Sequence, residues 1–298
     1  YLNEGAHVSG YYQKAYDMYN KFTGNYKLFT DGGETGNPYI EQFKQANKFN
    51  CEVIMAVSTG EGAAGGANEG NFNPMSWYCF PVDCAKVDDK GNPTPMQYQG
   101  GGWAQGFNVD TAYFKTYDEK DMRRDVILTE YYSTRNGWVT KKDVGRLWNG
   151  FILNKYPQEK PGGYQATDIP LARWADVMLL YAEASVRLKN SVTSEAVEMV
   201  NQVRARAGLE GLTADKTSSV DAFMKALLDE RGWELLYEGC RKIDLIRFNQ
   251  YYTKMSGLGR TPTSQYVPIP NFSVNQAEES GYVLTQYYTR PDYDGPIK

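Results

Sequence analysis

Apolar and polar residues alternate along this chain with two clear periods. Residues 11–22, YYQKAYDMYNKF, put Tyr12, Ala15, Tyr16 and Tyr19 on one side of a helix that stops near Gly24, and YKLF follows as a short extended piece. In NPYIEQFKQANKF, Asn37 is placed to cap a helix and Pro38 to occupy its first position, where a missing N–H costs nothing. CEVIMAVS is a short apolar run and predicts a buried strand.

The strongest helical pattern spans 170–249. In RWADVMLLYAEASVRL, Trp174, Val177, Met178, Tyr181, Ser185 and Leu188 form one stripe, and Ala182 and Ala184 leave room for a partner helix. TSEAVEMVNQVRARAGL predicts a second helix, capped by Thr193 or Ser194, with Ala196, Val200, Val203 and Ala207 facing inward. Gly208 followed by Leu209 predicts a left-handed stop with the apolar residue folding back. Two such helices with a small-residue seam resemble a tetratricopeptide-type hairpin. A third helix starts at Ser218, with Asp221 as its box partner, and runs through Phe223, Met224, Leu227 and Leu228. RGWELLYEG ends at Gly239, and RKIDLIRF adds a last turn or two.

From Ser58 to Asn108 the periodicity vanishes. STGEGAAGGANEGNFNP is glycine-rich, and KVDDKGNPTPM carries a turn signal from Asp89 to Pro93 that predicts a hairpin. Irregular segments therefore surround Trp77, Tyr78, Phe80, Tyr98 and Trp103. Asp110 then caps TAYFKTY, VILTEYY alternates as a strand, and the turn RNG at 135–137 returns it through Trp138.

Composition narrows the class. The 298 residues are 41% hydrophobic and 23% charged, ordinary globular values. A net charge of −4 argues against a phosphate-backbone binder, and no apolar run is long enough to span a membrane. Tyrosine (24), phenylalanine (12) and tryptophan (6) make up 14% of the chain, a share that suits interfaces and ligand platforms as well as core. With one histidine, His7, and no second cysteine pair, neither a zinc site nor a histidine-based nucleophile is expected. Cys79 and Cys84, in CFPVDC, either close a small disulfide loop or remain two semi-buried thiols. Asp292 and Asp294 lack the further spaced oxygen ligands of a calcium loop. No cofactor or metal is expected.

In DERGWELLYEGCRKIDLIRF, a glycosidase reading would take Glu230 and Glu234 as acid and base. Arginines at helical spacing argue otherwise: Glu234 with Arg231, Glu238 with Arg241, and Asp244 with Arg247 or Arg241. An arginine neighbour keeps a carboxyl ionised, the reverse of what a general acid needs. Bracing between helices is the expected role.

Four ordered motifs, DIPLARWADVMLLYAEA, VNQVRARAGL, ERGWELLYEGCRKIDLIRF and YVPIPNFSVNQAEESGY, resemble the C-terminal half of the SusD/RagB family. YLNEGAHVSGYYQKAYDMYN is similar to the end of that family's last N-terminal helical repeat, and FKTYDEKDMRRDVILTEYY to its middle segment. The resemblance implies a mostly α fold, SusD-like, of tetratricopeptide-like helical hairpins with a loop-rich region and a few short strands, and with an N-terminal part missing from this chain. Three regions follow: 1–57, the end of the helical repeats; 58–165, a loop-rich ligand-binding insertion; and 166–298, the C-terminal helical region. It further implies a non-catalytic lipoprotein on the extracellular face of the outer membrane, anchored by an N-terminal cysteine outside this chain. Such a protein captures oligosaccharides and passes them to a SusC-like TonB-dependent transporter. Peptide ligands occur among relatives.

Segment 58–107 carries none of these motifs and holds the exposed-ring candidates, so the ligand surface is expected there. Trp103, Trp77, Tyr78 and Tyr98 would stack on pyranose faces, with Asn73 and Gln105 among the amides hydrogen-bonding the hydroxyl rim. The alternative for Trp103 is a pin that folds down onto the helical body. GGGWAQG departs from a phosphate-binding loop, since Gln105 stands where a glycine is required. Two further function classes are kept: a hydrolase using Glu61, Glu69 or Asp83, and a helical-repeat scaffold that binds peptide.

Overall fold

A computed structural model describes residues 1–22, 24–60, 72–96, 107–140, 150–159, 165–259 and 271–281. In chain order the elements are α1 (Tyr11–Tyr19), α2 (Pro38–Glu41), β1 (Val53–Val57), α3 (Met75–Cys79), β2 (Asn108–Val109), α4 (Thr111–Phe114), β3 (Ile127–Leu128), β4 (Glu130–Ser133), β5 (Gly137–Thr140), β6 (Phe151–Leu153), β7 (Ile169–Arg173), α5 (Trp174–Lys189), α6 (Ser194–Arg206), α7 (Val220–Glu234), α8 (Arg241–Arg247), α9 (Tyr251–Gly257) and α10 (Asn271–Glu279). The chain is mostly helical, with short strands in three small antiparallel sheets among the described residues: β1-β7, β2-β6-β3 and β4-β5. It divides into two compact units, Tyr1–Glu238 and Gly239–Lys298.

Local signals produced the expected ends. Asn37 accepts from the Tyr39 and Ile40 amides, and Thr193 from the Ala196 amide. Gly208 is left-handed at φ 78°, and the Leu209 amide reaches back to the Arg204 carbonyl at 2.9 Å. The third helix is capped by Ser219, one residue later than the sequence suggested. The hairpin at Asn136 pairs Tyr132 with Trp138.

Three expectations need correction. The Asn37 helix is only four residues long and gives way to a 3-10 turn at Gln45–Asn47. Strand β1 is not buried: it pairs with β7 alone, so the outer face of the ribbon leaves Met55 and Val57 exposed. The single α5 stripe is too narrow, because residues 181–186 are buried all round the helix.

That burial has a clear cause. Helices α6 and α7 cover one side of α5, and α1 covers another. Tyr19 stacks on Tyr181 at 4.2 Å and lies 5.3 Å from Trp174, while Tyr16 stacks on Tyr181 at 5.0 Å. Phe22 and Tyr26 also meet Trp174. Much of the tyrosine content is therefore helix-to-helix packing.

In the first unit a second core, built around Tyr39, Phe80, Tyr131, Ile152 and Tyr156, joins α2, α3 and the β-strands. It underlies the site described next. In the second unit α8 packs against α9, and Arg247 pairs with Asp244 one turn back at 2.7 Å, as the spacing implied.

Candidate functional site

Helix α3 is a single turn, too short to hold itself, and its position is set by Asn73. That amide donates to the Thr167 carbonyl and hydroxyl, both at 3.0 Å, and accepts from the Met75 amide at 2.9 Å. The Asn73 backbone pairs with Gln165. With the turn so fixed, Ser76 and Cys79 point inward, Trp77 is half-buried and Tyr78 is exposed.

Phe107 arrives beside Tyr78 from the far end of segment 97–106. Its amide donates to the Tyr78 carbonyl at 3.2 Å, and its ring meets Tyr78 edge-on at 5.6 Å. Both rings remain open to solvent, 39% for Tyr78 and 48% for Phe107. Behind them Phe107 leans on Tyr237 at 5.5 Å, which continues through Tyr156 to Phe43 and Tyr39 in the core. Tyr237 occupies the left-handed region at φ 64°, a conformation costly for an aromatic residue and sustained here by its packing. The result is a rigid aromatic edge with one open side.

Rigidity beneath it comes from buried charge. Arg173, at the end of β7, binds Glu52, Glu234 and Glu238. Arg206 adds bonds to Glu52 and Glu234, and Arg123 binds Asp121, Glu230 and Glu234. Lys155 donates to the Tyr39 hydroxyl, the Leu236 carbonyl and Glu238. Burial pushes Glu234 upward, but Arg206, Arg173 and Arg123 outweigh it and hold the carboxyl well below its usual range. Burial pulls Lys155 down to about 8, partly offset by Glu238. Bracing is thus the role of these charges, but through distant partners. Arg231 pairs with Asp176 rather than with Glu234, and Glu238 takes Arg173 and Lys155.

Of the expected ligand residues, Trp77 and Tyr78 both lie on α3, the first half-buried and the second exposed. Asn73, expected on the ligand surface, is instead fully buried with its amide engaged inside the protein. Tyr98, Trp103 and Gln105 lie outside the described residues, as do Glu61, Glu69, Asp292 and Asp294. The remaining hydrolase candidate, Asp83, accepts from Ser133 at 2.5 Å and Tyr131 at 3.2 Å and ties the β4-β5 hairpin to its neighbour segment. Tyr131 is core, whereas Trp138 is 44% exposed on that hairpin. Cys79 and Cys84 are buried thiols without a disulfide, and burial pushes Cys79 up to about 12. The sequence reading overlooked Phe107 and Tyr237. Phe107 had a local signal, an aromatic residue closing the glycine segment just before a strand, but Tyr237 had none.

Comparisons with known proteins agree with this architecture. A SusD-like protein from Formosa agariphila is 25% identical over 231 residues, covering 70% of this chain and 42% of its own. The starch-binding protein SusD of Bacteroides thetaiotaomicron is 31% identical over 133 residues, 40% of this chain and 22% of its own. Among solved structures, a surface glycan-binding protein from B. thetaiotaomicron in complex with laminarihexaose superposes with a TM-score of 0.64 at 19% identity, covering 94% of this chain and 62% of that one. A laminarin-binding SusD-like protein gives 0.67 at 22% identity, covering 93% and 58%. The chain thus spans less than half of these curated relatives and about three fifths of these solved neighbours. The profile of the SusD family matches residues 9–297, nearly the whole sequence, and with the helical architecture beside it the chain belongs to the SusD family.

Proposed function

We propose that this chain captures oligosaccharides at the outer surface of the outer membrane, as part of a lipoprotein, and hands them unaltered to a SusC-like TonB-dependent transporter. The capture surface is the edge formed by Tyr78 and Phe107, with half-buried Trp77 on the same helical turn as Tyr78. The observation that carries this reading is the pairing of two exposed rings, locked by a backbone hydrogen bond and backed by Tyr237. An aromatic ring held this way covers the C–H face of a sugar with little loss of side-chain entropy on binding. Two relatives named for binding starch and laminarin support the glycan class. The absence of catalysis is supported by Glu230 and Glu234, which are fully buried and ion-paired, whereas a catalytic acid must reach its substrate. Affinity electrophoresis tests the reading: migration is retarded in gels containing laminarin or starch, and Tyr78→Ala weakens the retardation. Equal migration in both gels and in a blank gel overturns it.

A further inference from the structure

A separate cleft of about 470 Å³ opens in the first unit between α7 and the segment that follows α6. Ala222, Ala226 and Trp233 line one wall at helical spacing, and the two alanines create the space that larger residues would fill. Trp233 is half-buried. Its indole N–H is anchored to the Thr116 hydroxyl at 3.0 Å, and the Arg123 guanidinium lies 6.0 Å from the ring centroid on the protein side. The ring is thereby fixed in place where it borders the cleft.

The rim is polar and of both signs: Lys216 and Lys225 stand with Asp118, Asp215 and Asp229. Lys216 lies 3.7 Å from Asp215. Among the described residues, Lys225 and Asp229 have no hydrogen-bonding or ion-pair partner for their side chains. An anion entering here meets three carboxylates, and a cation meets two ammonium groups and the Arg204 guanidinium. A neutral polyol meets acceptors and donors for hydroxyls that both give and take hydrogen bonds.

We propose that this cleft is a second binding subsite for neutral sugar, with a pyranose lying on Trp233 and its hydroxyls bonded by Lys225 and Asp229. The proposal rests on the glycan-binding reading above but uses none of its residues. A glycan bridging both sites would gain avidity over either alone.

The test labels the full chain with 5-fluorotryptophan, assigns the Trp233 resonance with Trp233→Phe, and titrates laminarihexaose and maltohexaose by fluorine NMR. The expected result is a saturable shift of the Trp233 signal with at least one of them. That shift weakens about tenfold in apparent affinity in Ala222→Phe, which fills the cleft, and in Asp229→Ala, which changes only a partly exposed side chain. Far-ultraviolet circular dichroism and an unchanged unfolding midpoint confirm that both variants fold. Binding that moves other indole signals while Trp233 stays still overturns the second subsite and leaves the main reading intact. Silence of every indole toward both sugars, with no heat on mixing, counts against both.

Discussion

Arg173 and Glu234, 61 positions apart, join through Nη1 and Oε1 at 2.5 Å with neither side chain open to solvent. The same glutamate takes Arg206 and Arg123, so one carboxylate ties α7 to β7, to the end of α6 and to the turn Met122–Val126. Removing it leaves three buried cations facing a gap. Glu234→Ala is expected to lower stability by about 3–5 kcal/mol, read as a urea midpoint at constant slope. A loss under about 1 kcal/mol would mean that the network relaxes without this residue.

The network also fixes the response to acid. Glu234 and Glu238 have carboxyl groups held below their usual range by arginine and lysine partners that outweigh burial. Their stabilisation is present above the unfolded-state value near 4.5 and is lost as pH falls through the folded-state values. The unfolding midpoint should therefore drop steadily below about pH 5, and less steeply in Glu234→Gln.

Lys155 acts with the same sign but in the alkaline range. It releases its proton near pH 8 when folded and near 10.5 when unfolded. Between those values the unfolded chain holds one more proton, so this group makes stability rise with pH by about 1.4 kcal/mol per unit. The rise is the difference between wild type and Lys155→Met, followed by urea titration from pH 7.5 to 10. A flat difference would place the lysine in a wetter setting than the structure shows.

These two behaviours mark where sequence reading succeeds and where it stops. Asn37, Thr193 and Gly208 were legible because a cap or a left-handed stop depends on residues within four or five positions. Glu234 was readable as bracing because its neighbourhood is rich in arginine. Its partners were not, since Arg123 and Arg173 lie 111 and 61 positions away and no local spacing reports such contacts. Tyr16 and Tyr19 were legible as one face of a helix, but not the Tyr181 ring of α5 on which they stack.

Asn73 illustrates a different failure. In a glycine-rich stretch it was indistinguishable from an asparagine that faces solvent, yet Asn-Pro before an apolar turn is a helix-start signal in its own right. Asn73→Ala is expected to destabilise the protein by about 1–3 kcal/mol, because the Thr167 groups and the Met75 amide lose their partner. Thermal unfolding checks it. Unchanged stability with reduced glycan binding would return Asn73 to the ligand surface.

Tyr78 and Phe107 should behave conversely. Each is exposed, so alanine at either position leaves the unfolding midpoint within about 0.5 kcal/mol of wild type and weakens oligosaccharide binding about tenfold. Trp138→Ala, an exposed ring on the β4-β5 hairpin, serves as the control and leaves binding unchanged.

Isothermal titration of the chain with laminarihexaose and with maltohexaose, followed by chromatography of the recovered sugar, tests the central claim most directly. The account predicts saturable heat with at least one hexasaccharide, a marked reduction of it in the Tyr78→Ala Phe107→Ala double variant, and full recovery of the intact sugar. Release of shorter sugars, or heat that survives the double variant undiminished, would contradict it.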